Sequence, residues 1–222
     1  MNQIIVGFTS EGTTDTRLLE SIVLRTFEAV AVVECTKQIE VINPIIHIKK
    51  ALGEDFNNTI SNCAQIAFSN GVMVFCVHVD ADDSTDKNVM DTKINPCFEG
   101  ILASDNLQLC KNLVSIVPVS MTEAWMLADK NLLKEEIGTD KTDSQLGIHR
   151  SPEAYADPKS TIENAIRVAR QDMPRRRRYD LKIAELYQPI GQKLDLEKLE
   201  ALQSYRKFRD GVKEIYRKLN YL

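Results

Sequence analysis

The sequence predicts an α/β protein built on a mainly parallel sheet with helices on both faces. Apolar runs of strand length alternate with segments of helical periodicity through the first half of the chain, the order in which crossover helices cover a parallel sheet. The strand runs are continuously apolar rather than alternating, as strands buried on both sides are. Hydrophobic residues make up 43% and charged residues 27% of the 222, a balance that supports a core of ordinary domain size.

The elements follow in chain order. Residues 4–8 (IIVGF) form the first strand. Residues 15–26 place Leu18, Leu19, Ile22 and Val23 on one helical stripe. Residues 39–48 hold a second strand, interrupted near Pro44, and 57–69 a helix stopped by Asn70-Gly71. Residues 72–79 (VMVFCVHV) are the strongest strand. Residues 96–103 form a helix that opens on proline, which a first helical turn accepts. Residues 113–119 are the next strand and 122–133 the next helix. From 138 to 159 the chain turns polar and loop-rich, and helices follow at 160–170, about 181–191 and 195–219. The last begins acidic and ends basic, matching the helix dipole. Residues 1–137 are thus expected to form the sheet domain, and 138–222 a loop-rich, then helical, basic region packed on it.

Composition excludes several classes. No apolar run is long enough to cross a bilayer, and the start carries no basic leader with a long apolar stretch. Five cysteines, an odd number without a CxxC pair, indicate neither a disulfide framework nor a zinc knuckle. A cytoplasmic protein with thiols in its core is expected. No GxxxxGK[ST] pattern is present, so ATP hydrolysis is not expected here. The net charge of −4 hides an asymmetry. Residues 1–149 carry 11 Lys and Arg against 21 Asp and Glu, whereas 150–222 carry 17 against 11. An acidic front that holds cations and a basic tail that holds phosphates suit metal-dependent phosphate chemistry. Two unevenly charged solvated surfaces would give the same count.

The acids fall at strand ends. Glu11 lies three residues past the first strand, Asp80 and Asp82 follow the strand at 72–79, and Glu123 follows the strand at 113–119. In an open parallel sheet these ends share one edge, where ligands bind. Carboxylates gathered there repel one another unless a cation joins them. Asp80 and Asp82, two apart in extended chain, would face one ion. Oxygen donors of this kind suit one or two ions of Mg²⁺ or Mn²⁺. Each group also has a plainer reading. The stretch from Asp80 to Asp83 could be a polar turn, Asp15 a first-turn acid, and Ser120-x-x-Glu123 a capping box.

At these residues the chain resembles a TOPRIM domain, whose pattern is a glutamate after the first strand and Asp-x-Asp after a later one. EGTTD (11–15), VHVDADD (77–83), TEAWMLAD (122–129) and ADPK (156–159) resemble a bacterial TOPRIM-like family akin to the RloB and OLD groups. Members are often encoded beside an ABC/SMC-type ATPase in phage-defence loci. The resemblance extends over nearly the whole chain and implies a TOPRIM/Rossmann-like sheet and a Mg²⁺-dependent nuclease acting on DNA or RNA. Residue by residue, it implies metal ligands at Glu11, Asp80 and Asp82, a second-ion ligand at Asp15, a weaker one at Asp83, and a metal or turn role for Glu123. Lys159 would neutralise charge building on phosphate. A carboxylate on a metal is a poor base, so Glu11 is expected to hold the ion rather than take a proton.

The run Arg175, Arg176, Arg177 and Arg178 could bind nucleic-acid phosphate, or could be a solvated loop. His78 shares Asp80's direction; Trp125 reads as core. Two other functions remain open. One is an Asp-x-Asp phosphatase with Asp80 as nucleophile, which leaves Glu11 unexplained. The other is a non-catalytic subunit that binds nucleic acid or an ATPase. A homo-oligomer is compatible with either.

Overall fold

A computed structural model describes every residue except Met1, Leu52, Glu54, Arg175, Arg177 and Tyr179. Strand β1 (Asn2–Ile4) breaks at Ile5 and continues as β2 (Val6–Thr9). The 22-residue helix α1 (Thr13–Glu34) leads to β3 (Ile39–Val41) and β4 (Ile46–His47). The expected interruption between these two short strands is a cis peptide at Asn43–Pro44. Helix α2 (Phe56–Ser69) precedes β5 (Val74–His78). A helical stretch then runs through α3 (Lys87–Val89), a π-helical turn (Met90–Ile94) and α4 (Asn95–Ala103) to β6 (Leu113–Ile116).

All pairings are parallel. β1 pairs with β3, and the four-stranded sheet runs β4-β2-β5-β6. The chain therefore goes outward from β2 to its neighbour on one side and returns to β5 on the other. Alternation along β5 sorts two cores. Val74 and Cys76 join α1 and the C-terminal helices in one cluster; Phe75 and Val77 join α2 and α4 in the other. Helix α1 thus covers one face, and α2 with α4 the opposite one.

The remaining helices differ from expectation in their breaks. Residues 122–133 are two helices, α5 (Glu123–Met126) and α6 (Lys130–Ile137). Asp129 separates them because its carboxylate caps α6, accepting from Asn131 N at 3.2 Å and Leu132 N at 3.1 Å. The polar stretch holds α7 (Asp143–Leu146) and a 3₁₀ turn at Pro152–Ala154 before α8 (Pro158–Arg170). A second 3₁₀ turn, Ile183–Glu185, runs into α9 (Tyr187–Lys193). Residues 195–219 are also two helices, α10 (Leu196–Leu199) and α11 (Gln203–Lys218). Leu202 is extended, and the Glu153 carboxylate accepts from Gln203 N at 3.0 Å and Ser204 N at 2.9 Å. The cap of α11 thus comes from 50 residues earlier in the chain.

Trp125 is fully buried, its indole N–H donating to Ser204 Oγ at 2.8 Å. All five cysteines are free thiols, four buried and Cys35 half-buried. Burial pushes the Cys97 thiol up to about 11. Among the described residues no helix is long and apolar enough to cross a membrane.

Candidate functional site

The sheet order creates a crevice. β2 and β5 are neighbours, yet the chain leaves their carboxyl ends toward opposite faces, through α1 and through α3. Between such ends the two connections diverge and leave room for a ligand. Three chain segments line it: Ser10–Asp15 after β2, His78–Asp80 at the end of β5, and Thr122–Glu123 beyond β6.

The first segment turns directly into a helix. Gly12 N donates to Asp15 Oδ2 at 2.8 Å, folding the Asp15 carboxylate back over the start of α1, where it is buried. Glu11 stands exposed at the rim. Next to it, Ser10 Oγ lies 2.7 Å from Thr16 Oγ1, and His47 Nε2 lies 3.4 Å from Ser10 Oγ and 3.3 Å from Thr16 Oγ1. These contacts tie the turn carrying Glu11 to the end of β4.

The second segment is held by the third. Asp80 Oδ1 accepts from Thr122 N at 2.8 Å and from Thr122 Oγ1 at 2.9 Å, with His78 Nε2 at 3.2 Å. His78 is fully buried, and its Nδ1 has no hydrogen-bond partner among the described residues. A proton on Nε2 donates toward Asp80. Glu123, almost fully buried, takes its hydrogen bond from the Tyr187 hydroxyl at the start of α9. The capping-box reading of Glu123 is corrected: Thr122 occupies the cap without a side-chain bond, and Ser120 Oγ donates to Tyr155 O at 3.1 Å instead.

Four carboxylates feel one another here. Burial raises Asp15; His78 opposes the rise and Asp80 adds to it. Burial raises Glu123, against the Tyr187 hydrogen bond, with Asp80 and Asp15 adding to the rise. Glu11 is raised by desolvation on its inner side, relieved by His78 and Lys50 and reinforced by Asp80. Lys50 follows β4, and its Nζ donates to His78 O at 3.2 Å. Burial lowers it, and the charge of Glu11 is the largest effect opposing that. The site thus combines acids with one desolvated cation, and Glu11, Asp15 and Glu123 titrate above their ordinary range chiefly because burial disfavours their charged forms.

The donors suit a hard cation in kind. They are carboxylate oxygens, and in Asp80 one oxygen is pinned by protein donors while Oδ2 takes no hydrogen bond from a described residue. Protein donors that fix a carboxylate in this way are what orient metal ligands. Among the described residues, however, no three His, Cys, Asp or Glu side chains stand close enough together to hold a metal ion as they are.

Other expected residues lie elsewhere. Asp82 has φ +51°, so the extended run ends before it, and it does not share Asp80's direction. With Asp83 it lines a separate cavity of about 460 Å³, together with Ser84, Ser120 and Tyr155. Ala81 N bonds Pro118 O at 3.1 Å and Asp82 N bonds Ser120 O at 2.8 Å, so the chain here continues the β5–β6 pairing and then turns away. Lys159 sits on the first turn of α8 in a groove that also contains Arg178. Arg176 is exposed, while Arg175 and Arg177 lie outside the described residues. Sequence reasoning missed Lys50, Thr122 and Tyr187. Only Thr122 had a signal, its place beside Glu123.

Compared with protein-family models, with curated proteins and with solved structures, the chain matches none.

Proposed function

We propose that the protein is a metal-dependent nuclease of TOPRIM type, cleaving phosphodiester bonds of DNA or RNA, and that it works with an ATPase partner in defence against phage. The observation that carries this reading is that Glu11, Asp15, Asp80 and Glu123 fall at neighbouring strand ends, where burial raises Glu11, Asp15 and Glu123 and the charge of Asp80 adds to each rise. Repulsion of that kind persists in a folded protein when a ligand relieves it, and a divalent cation is the ligand that carboxylates relieve it with. Asp80, Glu11 and Asp15 would hold Mg²⁺ or Mn²⁺, one ion or two. Bound there, the ion would supply an activated water and stabilise charge on the phosphate.

The chain's own residues have definite tasks in this reading. Thr122 and His78 fix Asp80 through Oδ1 and leave Oδ2 without a hydrogen bond from a described residue. Glu11, exposed and with no hydrogen bond to a described residue, would complete the oxygen set. Lys50, half-buried and within electrostatic reach of Glu11, would meet the phosphate charge in the role first expected of Lys159. Tyr187 keeps the Glu123 carboxylate in one orientation. A phosphatase using Asp80 and Asp82 as a pair would need them to face the same way, and the left-handed backbone at Asp82 opposes that.

A non-catalytic binding role is the competing reading, favoured by the absence of a ready-made three-ligand group among the described residues. Incubation with plasmid, single-stranded DNA and total RNA, with and without Mg²⁺ or Mn²⁺, decides between them. Cleavage that needs the metal and disappears in Glu11→Ala and Asp80→Ala is the expected result. Binding without cleavage by the folded wild-type protein, with either metal, would leave the non-catalytic role.

A further inference from the structure

Several cations of the last third are tied to carboxylates: Lys193 to Glu136, Lys207 to Asp86, Arg209 to Glu34 and Glu200, and Lys213 to Glu34. Lys159, Arg167, Arg178 and Lys182 are not. None of the four forms an ion pair with a described residue, and all four are exposed around one groove of about 530 Å³ between α8 on one side and Arg178 and Leu181 to Ala184 on the other. Arg167 donates to Asn164 Oδ1 at 2.6 Å and Arg178 to Met173 O at 2.8 Å, neutral partners that hold the guanidinium groups in place without cancelling their charge. The groove's inner surface is aliphatic, made by Ile166, Leu181, Ile183 and Ala184; Glu163 is the acid on its lining.

We propose that this groove binds a nucleotide unit of a single-stranded nucleic acid, with a base against the aliphatic surface and adjacent phosphates on the four cations. The cavity falls within the roughly 300–1,000 Å³ usual for small-ligand sites. A duplex turns its phosphates outward and keeps its bases stacked, so the apolar surface would be idle against it; an unpaired strand can lay a base there. Charge density favours a nucleic-acid strand over an acidic peptide. From 159 to 182 the chain carries eight Lys and Arg against three Asp and Glu, a match for a backbone charged at every residue.

The groove also shares its walls with the carboxylate crevice. Helix α8 packs against α5, which begins at Glu123, and the turn Ile183–Glu185 packs on both α8 and α9. Ala184 precedes Tyr187 by three residues, a span of at most about 11 Å, and Tyr187 touches Glu123. The inference rests on the nuclease reading in one respect: it makes the substrate of that crevice a single strand, steered in from α8.

The test is fluorescence anisotropy with labelled oligothymidylate and oligouridylate of about a dozen nucleotides, in EDTA so that binding is read without cleavage. A duplex of the same length and free dTMP or UMP serve as competitors. The variants are Arg167→Glu with Lys182→Glu, and Ala184→Asp, all at exposed positions, with thermal melts to confirm folding. The paired charge reversal should weaken single-strand binding by about tenfold or more and flatten the salt dependence by about 1.4 in log–log slope, two phosphates' worth. Ala184→Asp should weaken the single strand and spare any binding of duplex. Unchanged single-strand affinity in both variants, equal loss for duplex, or a free mononucleotide competing as well as the oligomer would each overturn the proposal. Cleavage by a wild-type protein whose groove variants bind normally would remove the groove and keep the nuclease. Groove-dependent binding with no metal-dependent cleavage would do the reverse.

Discussion

Thr122 illustrates how a small side chain can set a site. Its N–H and its hydroxyl both donate to Asp80 Oδ1, and the hydroxyl oxygen also lies 2.9 Å from His78 Nε2. Thr122→Val keeps the volume and the N–H but removes the hydroxyl from a buried network. Loss of about 1–3 kcal/mol of stability is expected, with a fall of about 10- to 100-fold in metal affinity or cleavage, as for other groups that orient ligands; denaturant melts and cleavage rates measure the two. Asp15 gives a pH signature. Its folded pKa lies above its ordinary 3.8, so between those values the folded state holds more protons than the unfolded one. Asp15 therefore costs stability as pH rises through that window, and the cost is fully present above it. Asp15→Asn keeps an acceptor for Gly12 N without the charge. Relative to wild type, its melting temperature should climb as pH rises from about 4 toward neutrality, and saturating Mg²⁺ should narrow the difference. A pH-independent difference would assign the raised pKa no thermodynamic consequence. Glu11 and Asp80 stood out because an acid just past a buried strand is an anomaly that needs no partner to be seen, whereas Asp15 was singled out only by the resemblance. Lys50 and Tyr187 were not. Each meets the crevice through a contact distant in sequence, Lys50 with His78 and Tyr187 with Glu123, and neither has a local pattern. Asp82 misled because spacing alone implies an extended chain, and its positive φ is set by the pairing of the loop beyond β5 with the loop beyond β6.

The elements that brace the site include α1 and α9, which pack extensively and approach closely. α9 lies so near α1 that a Cβ on Gly191 would stand 2.5 Å from Leu18 O and 2.9 Å from Leu18 Cα. Backbone cannot yield as a side-chain tip can, so Gly191→Ala must push the helices apart. A destabilisation of about 1–3 kcal/mol is expected, lowering the melting temperature by about 2–4 °C per kcal/mol in a chain of this size, together with slower cleavage because α9 carries Tyr187. The same junction is clamped by Arg25, which donates to Leu194 O at 2.7 Å and Gly191 O at 2.6 Å, satisfying carbonyls at the end of α9. Glu153→Ala should cost about 1 kcal/mol by uncapping α11, read in a denaturant melt. The longer helices were readable from the sequence, whereas α3, the π-helical turn and α7 were not. The breaks at 127–129 and 200–202 were not, because hydrophobic stripes run across them and the second break depends on a carboxylate supplied from Glu153.

For the whole molecule, parallel strands and two covered faces followed from unbroken apolar runs, whereas the strand order did not: nothing in the composition of residues 39–48 says which side of the first strand they join. That order is what turns separate strand ends into one crevice. If a divalent cation binds there, it stabilises the entire fold by mass action, about 2.7 kcal/mol at a hundredfold excess over its dissociation constant. Calorimetry should therefore record a Mg²⁺- or Mn²⁺-dependent rise in melting temperature in the wild type and none in Asp80→Ala; an equal rise in both would place the ion elsewhere. The Tyr187–Glu123 hydrogen bond adds a consequence for the order of events during synthesis. The ribosome releases every strand and all four acids long before it releases Tyr187, so a nascent chain carries its acids with one of them unanchored. On the proposed nuclease reading, competence to cut would arrive late, once the closing helices have docked, and an immature copy would be harmless to the cell that is making it.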